Sequence, residues 1–152
     1  MTAHGANLRR GRFSSPNQIY SLTAVTHLRQ PFFNDLHAAR ILINILKQSD
    51  LDNQSKTLAF VVMPDHFHWL VQLTYAVSLS QLVKTVKQKT AYQLHLQNRA
   101  DGKIWQPSYY DHALRAEEDI VSVCRYIIAN PLRANITNSV KNYPHWDCIY
   151  LT

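Results

Sequence analysis

From His66 to Leu73 the chain alternates between two faces. Phe67, Trp69, Val71 and Leu73 take every second position, and His66, His68, Leu70 and Gln72 take the positions between. Successive side chains of a β-strand point to opposite faces, so this run reads as a strand with one bulky apolar face and a second face that carries two histidines. Thr57–Met63, just upstream, is almost wholly apolar, as in a central strand. Pro64-Asp65 between the two runs is a turn signal, which makes the pair a hairpin. Further upstream, Gln18–Thr26 is rich in β-branched and aromatic residues and predicts the first strand. After Pro31, Asn34 is the expected N-cap of a helix in which Leu36, Ala39, Ile43 and Leu46 recur at helical spacing to about Gln48. Ser49–Lys56 is a polar loop.

Downstream of the hairpin, Ser78 or Ser80 caps a second helix with Leu79, Leu82, Val83, Val86, Thr90 and Leu94 on its inner side. Asp101-Gly102 marks a turn, and Ser108–Arg115 predicts a fourth strand. Glu117, Glu118 and Asp119 crowd the start of a third helix, where acids complement the helix dipole. Its core face is Ile120, Val123, Cys124 and Ile127, and Pro131 is expected to stop it near Asn130. Leu132–Thr152 reads as a helical turn and a tail docked by Tyr143, Pro144 and Trp146. The order is the split βαββαβ, ferredoxin-like plan of an α+β protein, with an added C-terminal helix. Helices are expected on one face of its antiparallel sheet, with the other left free.

Composition narrows the class. A chain of 152 residues, 46% apolar and 17% charged, fits one globular domain over 1–152 with its own core. No segment approaches a membrane span, and the N-terminus lacks the apolar core of a signal peptide, so a cytoplasmic protein is expected. Cys124 and Cys148 are too few for a disulfide framework and are not spaced as a metal pair. The net charge of +6 suits a polyanionic partner. Its concentrations are an acid-free arm over 1–15 with Arg9, Arg10 and Arg12, and the outer side of the second helix with Lys84 and Lys87, Lys89 and Arg99 nearby. Such a lysine face is either solvated surface or a track for a phosphate backbone, and the arm either an untidy terminus or a segment that an anion orders.

Two neutral imidazoles one pleat repeat apart, His66 and His68, can share a divalent metal; they also suit an ordinary polar sheet face. Tyr126 lies on the flank of the third helix's apolar stripe with Ser122, and Asn130, four residues on, projects from nearly the same side. A tyrosine there can reach a neighbouring site, or it can simply pack.

Taken together, Met63-Pro64-Asp65-His66-Phe67-His68, Trp105-Gln106, Tyr109-Tyr110-Asp111-His112, Arg115 and Tyr126-x-x-x-Asn130-Pro131 resemble the single-tyrosine HUH transposases. Within that superfamily the chain is most similar to the REP-associated tyrosine transposases, from about Tyr20 to Trp146. One departure is Tyr143–Cys148, which lacks the paired serines usual there. The resemblance implies a domain that cleaves and rejoins single-stranded or hairpin DNA. Tyr126 would be the nucleophile forming a 5′-phosphotyrosine link, His66, His68 and Asn130 the metal ligands, and Mg²⁺ or Mn²⁺ the cofactor. The basic arm, Lys84, Lys87, Lys89 and Arg99 would face the DNA. No obligate protein partner is implied, and a monomer is favoured over the dimer of larger relatives.

Chemistry agrees with that assignment. A free tyrosine has a pKa of about 10 and is a poor nucleophile at neutral pH, while the phosphodiester repels an anion; a divalent ion answers both problems. Two imidazoles and an amide are a soft, neutral set for Mg²⁺, so Mn²⁺ is expected to serve at least as well. A non-catalytic nucleic-acid-binding module on the same fold is the alternative, but a pure binder needs none of this constellation. A metal hydrolase of small substrates would keep its activity without Tyr126.

Overall fold

The computed structural model describes residues 14–116 and 118–150. The arm bearing Arg9, Arg10 and Arg12, the helix-start Glu117 and the last two residues lie outside that range. Within it the strands are β1 (Ile19–Val25), β2 (Ser55–Met63), β3 (His66–Leu73), β4 (Tyr110–Ala113) and β5 (Trp146–Cys148). The helices are α1 (Leu36–Leu51), α2 (Leu79–Leu96), α3 (Ile120–Ile128) and the single turn α4 (Asn130–Arg133). The antiparallel sheet runs β4-β1-β3-β2-β5. Its first four strands have the expected order of the split βαββαβ plan, with the histidine strand at the centre of the five.

Local chemistry accounts for the boundaries. Met63 pairs with His66 across the Pro64-Asp65 turn, so the hairpin is tight. Asp35, not Asn34, caps α1, its carboxylate accepting from the His37 amide at 3.0 Å; Asn34 instead closes a 3₁₀ turn that starts at Phe32. Ser78 opens α2 with a reciprocal capping box to Gln81. Asp119 caps α3 through the Val121 amide. Pro131 does not end the helical path. The chain breaks at Ala129 and resumes as α4, where a proline in the first turn lacks only an N–H that has no partner anyway.

The sheet has a core on each side. Phe67, Trp69 and Val71 pack with Leu42, Ile43, Leu46, Leu82, Val83 and Val86 of α1 and α2. Fully burying a side chain such as Phe67, 0% exposed, is worth roughly 2–3 kcal/mol. On the opposite face Val61, Met63 and Leu70 pack with Cys124, Ile127 and Ile128 of α3 and with Tyr143 and Cys148 of the tail. The second face is therefore not bare as expected. The third helix and the tail cover its β2 side and leave open ground over β1, β4 and the start of β3.

The tail earns its place in the sheet through hydrogen bonds. Val62 donates its N–H to the His145 carbonyl at 2.8 Å and accepts the Tyr143 hydroxyl on its own carbonyl at 2.5 Å. Trp146 Nε1 donates to the Val140 carbonyl at 2.8 Å. Burial pushes the Tyr143 phenol up to about 12, so it stays protonated as a donor. Among the described residues no helix is long and apolar enough to cross a membrane.

Candidate functional site

His66 and His68 emerge side by side from β3, ring centroids 4.9 Å apart and edge-on at 86°. Each ring is gripped at Nδ1. Asp65 Oδ1 lies 2.7 Å from His66 Nδ1, which places a proton on that nitrogen. Thr23 Oγ1 lies 2.7 Å from His68 Nδ1, and Thr23 is the cross-strand partner of His68 in the β1–β3 register. The other oxygen of Asp65 takes Arg29 Nη1 at 3.1 Å. Burial alone would raise the Asp65 carboxyl, but the hydrogen bonds and charges of His66 and Arg29 outweigh it and hold it below the usual carboxylate range.

His68, like His66, is half-buried. Burial above all, then the charges of His66 and Arg133, push its imidazole down to about 4; a hydrogen bond with Asn130 opposes them. The ring is thus neutral at neutral pH, the form that can ligate a cation. Asn130 Nδ2 donates back to the Ile127 carbonyl at 3.0 Å, which turns the amide oxygen toward His68. The end of the third helix thus approaches the histidines at Asn130. Tyr126 is 66% exposed, and the Arg133 guanidinium carbon sits 3.7 Å from the centre of its ring. The Arg133 charge is also felt at His68.

An open groove of about 360 Å³ runs past the pair, lined by Thr23, Val25, Arg29, His66, His68 and Tyr110. Tyr110 faces it because it pairs with Thr23. His112, two residues along, shares that sheet face and is held by Glu118 Oε1 at 2.8 Å; Asp111, opposite Leu22, faces the other way.

Among the described residues, the basic side chains singled out from sequence do not gather here. Lys84 and Lys89 are exposed on the outer side of α2, behind the sheet from the histidines. Lys87 donates to the carbonyls of Gln106 at 2.7 Å and Ser108 at 3.3 Å. Arg99 is 3.5 Å from Asp35. Arg29 lines the groove and Arg133 stacks on Tyr126; the sequence alone points to neither, nor to Thr23 or the orienting role of Asp65. Asp65 carried a signal, standing next to the first histidine; Thr23 needed the strand register, and the two arginines needed the fold.

Residues 14–130 match the family described as "Transposase IS200 like". A relative from Haemophilus influenzae assigned to the REP-associated tyrosine transposases is 27% identical over 100 residues, which is 59% of this chain and 57% of that one. The REP-associated tyrosine transposase of Escherichia coli is 29% identical over 87 residues, 57% of this chain and 50% of the relative. The matched stretch thus spans little more than half the length of either. A solved structure of a REP-associated tyrosine transposase bound to a REP hairpin superposes with a TM-score of 0.74 at 21% identity, covering 89% of this chain and 79% of that one.

Proposed function

The chain belongs to the IS200-like transposases, and on that premise we propose that it cuts and rejoins single-stranded DNA beside a hairpin or palindrome by way of a covalent 5′-phosphotyrosine. The observation that supports this reading most directly is the approach of Asn130, from the turn after α3, to the paired His66 and His68 of β3, with Tyr126 one helical turn before Asn130. A sheet face that only bound nucleic acid would gain nothing from two imidazoles each oriented at Nδ1.

The donor set fits a divalent cation in part. His66 and His68 each have Nδ1 engaged, and Asn130 turns its oxygen inward. His66, His68 and Asn130 would supply three donors, about half of the six that Mg²⁺ takes, and no group of three His, Cys, Asp or Glu stands together among the described residues. Mg²⁺ or Mn²⁺ held there would polarise the scissile phosphate and offset its charge.

The protein's own residues do the rest. Asp65 and Thr23 fix the two rings, and Arg29 offers a guanidinium to the backbone in the groove. Tyr110 presents an aromatic edge to unpaired bases. The Tyr126 oxygen attacks phosphorus as its phenolic proton is lost to solvent. The bond to the 3′-oxygen breaks, and that oxygen leaves as a hydroxyl. Reversal by a new 3′-hydroxyl rejoins the strand without ATP, because the phosphotyrosine retains the bond energy.

The test is a denaturing gel of protein with labelled single strands carrying palindromes from beside its own gene, in Mn²⁺, Mg²⁺ or EDTA, for wild type and Tyr126→Phe. A metal-dependent adduct in wild type alone is the expected result. An adduct that persists in Tyr126→Phe would assign the wrong tyrosine. Tight hairpin binding with no adduct would favour the non-catalytic module.

A further inference from the structure

We propose that Arg133 is a positioning residue for strand transfer, holding the Tyr126 ring toward the histidine site and setting a fixed positive charge beside the phosphate under attack. The inference rests on the reading of Tyr126 as nucleophile, and it adds a residue that reading does not require.

Tyr126 needs a holder. At 66% exposure its ring is outside the core, although the helix beneath it is anchored by Cys124 and Ile127. An exposed tyrosine samples several rotamers, and a nucleophile must be held to a near-attack geometry. The contact that restrains the ring face is the Arg133 guanidinium, at 3.7 Å.

The backbone is built to make this contact. In an unbroken helix, residues seven apart lie about 10.5 Å apart along the axis. Here the break at Ala129 and the proline-started turn of α4 intervene between Tyr126 and Arg133, and the guanidinium closes over the ring across that break. Asn130 sits in the same break and faces His68. One backbone feature therefore orients both the amide toward the histidines and the cation toward the tyrosine.

Arg133 is also free to act on a phosphate. Among the described residues it forms no ion pair. Arg133 ends the same single turn that Asn130 begins, so a DNA backbone running between Tyr126 and the histidines would pass beside it. An exposed cation–π pair contributes only about 0.5–1 kcal/mol to a fold, so loss of Arg133 should leave the domain folded.

The test compares Arg133→Ala, Arg133→Gln and Arg133→Lys with wild type in single-turnover adduct formation on a cleavable palindromic strand with Mn²⁺. Hairpin Kd and thermal midpoint are measured alongside. The expected result is a fall of about 100-fold in the rate constant for Ala and Gln. Kd should change less than about threefold, the midpoint should hold, and Lys should recover at least about tenfold because it keeps the charge. A rate for Arg133→Ala within about threefold of wild type overturns the proposal, as does a loss that appears wholly in Kd. Lys no better than Gln overturns the charge role. If wild type itself forms no adduct, the nucleophile reading fails and this inference falls with it, an outcome distinct from the others.

Discussion

Acid should destabilise the metal-free protein through His68, and the size of the effect can be worked out. The folded chain holds this imidazole at about 4 instead of 6.5, chiefly by burial. Above pH 6.5 neither state takes up the proton, so the stability contribution is complete. Between 6.5 and about 4 the unfolded chain binds more protons than the folded one, and stability falls as pH falls; below about 4 both are protonated and the slope ends. A gap of about 2.5 pH units at about 1.4 kcal/mol each gives about 3.5 kcal/mol in all, about 3 kcal/mol of it lost by pH 4, a large part of the 5–15 kcal/mol typical of a domain. His145 is also held low, by burial and by the charge of Arg40, and works in the same direction. The informative quantity is therefore the difference between wild type and His68→Asn, not the raw slope. Urea unfolding in EDTA at several pH values from about 7.5 to 4 measures it. Wild type should lose about 3 kcal/mol more than His68→Asn across that range. Parallel curves for the two proteins would refute the assignment of a buried, neutral His68.

Asp65→Asn should weaken Mn²⁺ binding by about 10–100-fold, because His66 loses the anionic partner that fixes its tautomer; EPR titration of free Mn²⁺ measures this, and an unchanged affinity would count against the carboxylate's role. Tyr143→Phe should cost about 1–2 kcal/mol in urea unfolding, since the buried Val62 carbonyl loses its donor; a neutral result would mean water takes the hydroxyl's place. Leu28 is 76% exposed and has a φ of 54°, a left-handed conformation that asparagine tolerates better. Leu28→Asn should raise the unfolding free energy by about 0.5–1 kcal/mol, and a loss of that size would show the leucine packs after all.

Strict alternation made the central strand readable, because a single slip would have put Trp69 in water and His68 in the larger core. The inner stripe of α2 was readable for the same reason, and all six of its residues are buried. What escaped was the part decided by distant segments. Trp146–Cys148 is too short to announce itself as a strand, and it becomes one only because β2 offers a free edge. Pro131 was expected to stop a helix; in place it starts one, a difference of one residue in where the path breaks. Lys84 and Lys89 were weighed for their charge, but charge says nothing about which side of the sheet α2 covers. At the site, His66, His68 and Asn130 could be named from spacing and resemblance, whereas Thr23, Arg29 and Arg133 converge through register and turns that lie far apart in the chain.

The two cores on opposite faces of the sheet have a consequence for how the protein breathes. α1 and α2 share the larger one with the long inner strands, while α3 rests on the smaller one with the tail. A partial opening that released α3 and the tail would leave the sheet and its main core standing. It would carry Tyr126, Asn130 and Arg133 away from His66 and His68, which stay behind on β3. The amides of α3 would then exchange with solvent ahead of those of β1 and β3, and the same excursion would switch the site off without unfolding the protein. Any ligand that touches both halves at once slows that exchange by binding, so hydrogen exchange on α3 reports site assembly directly.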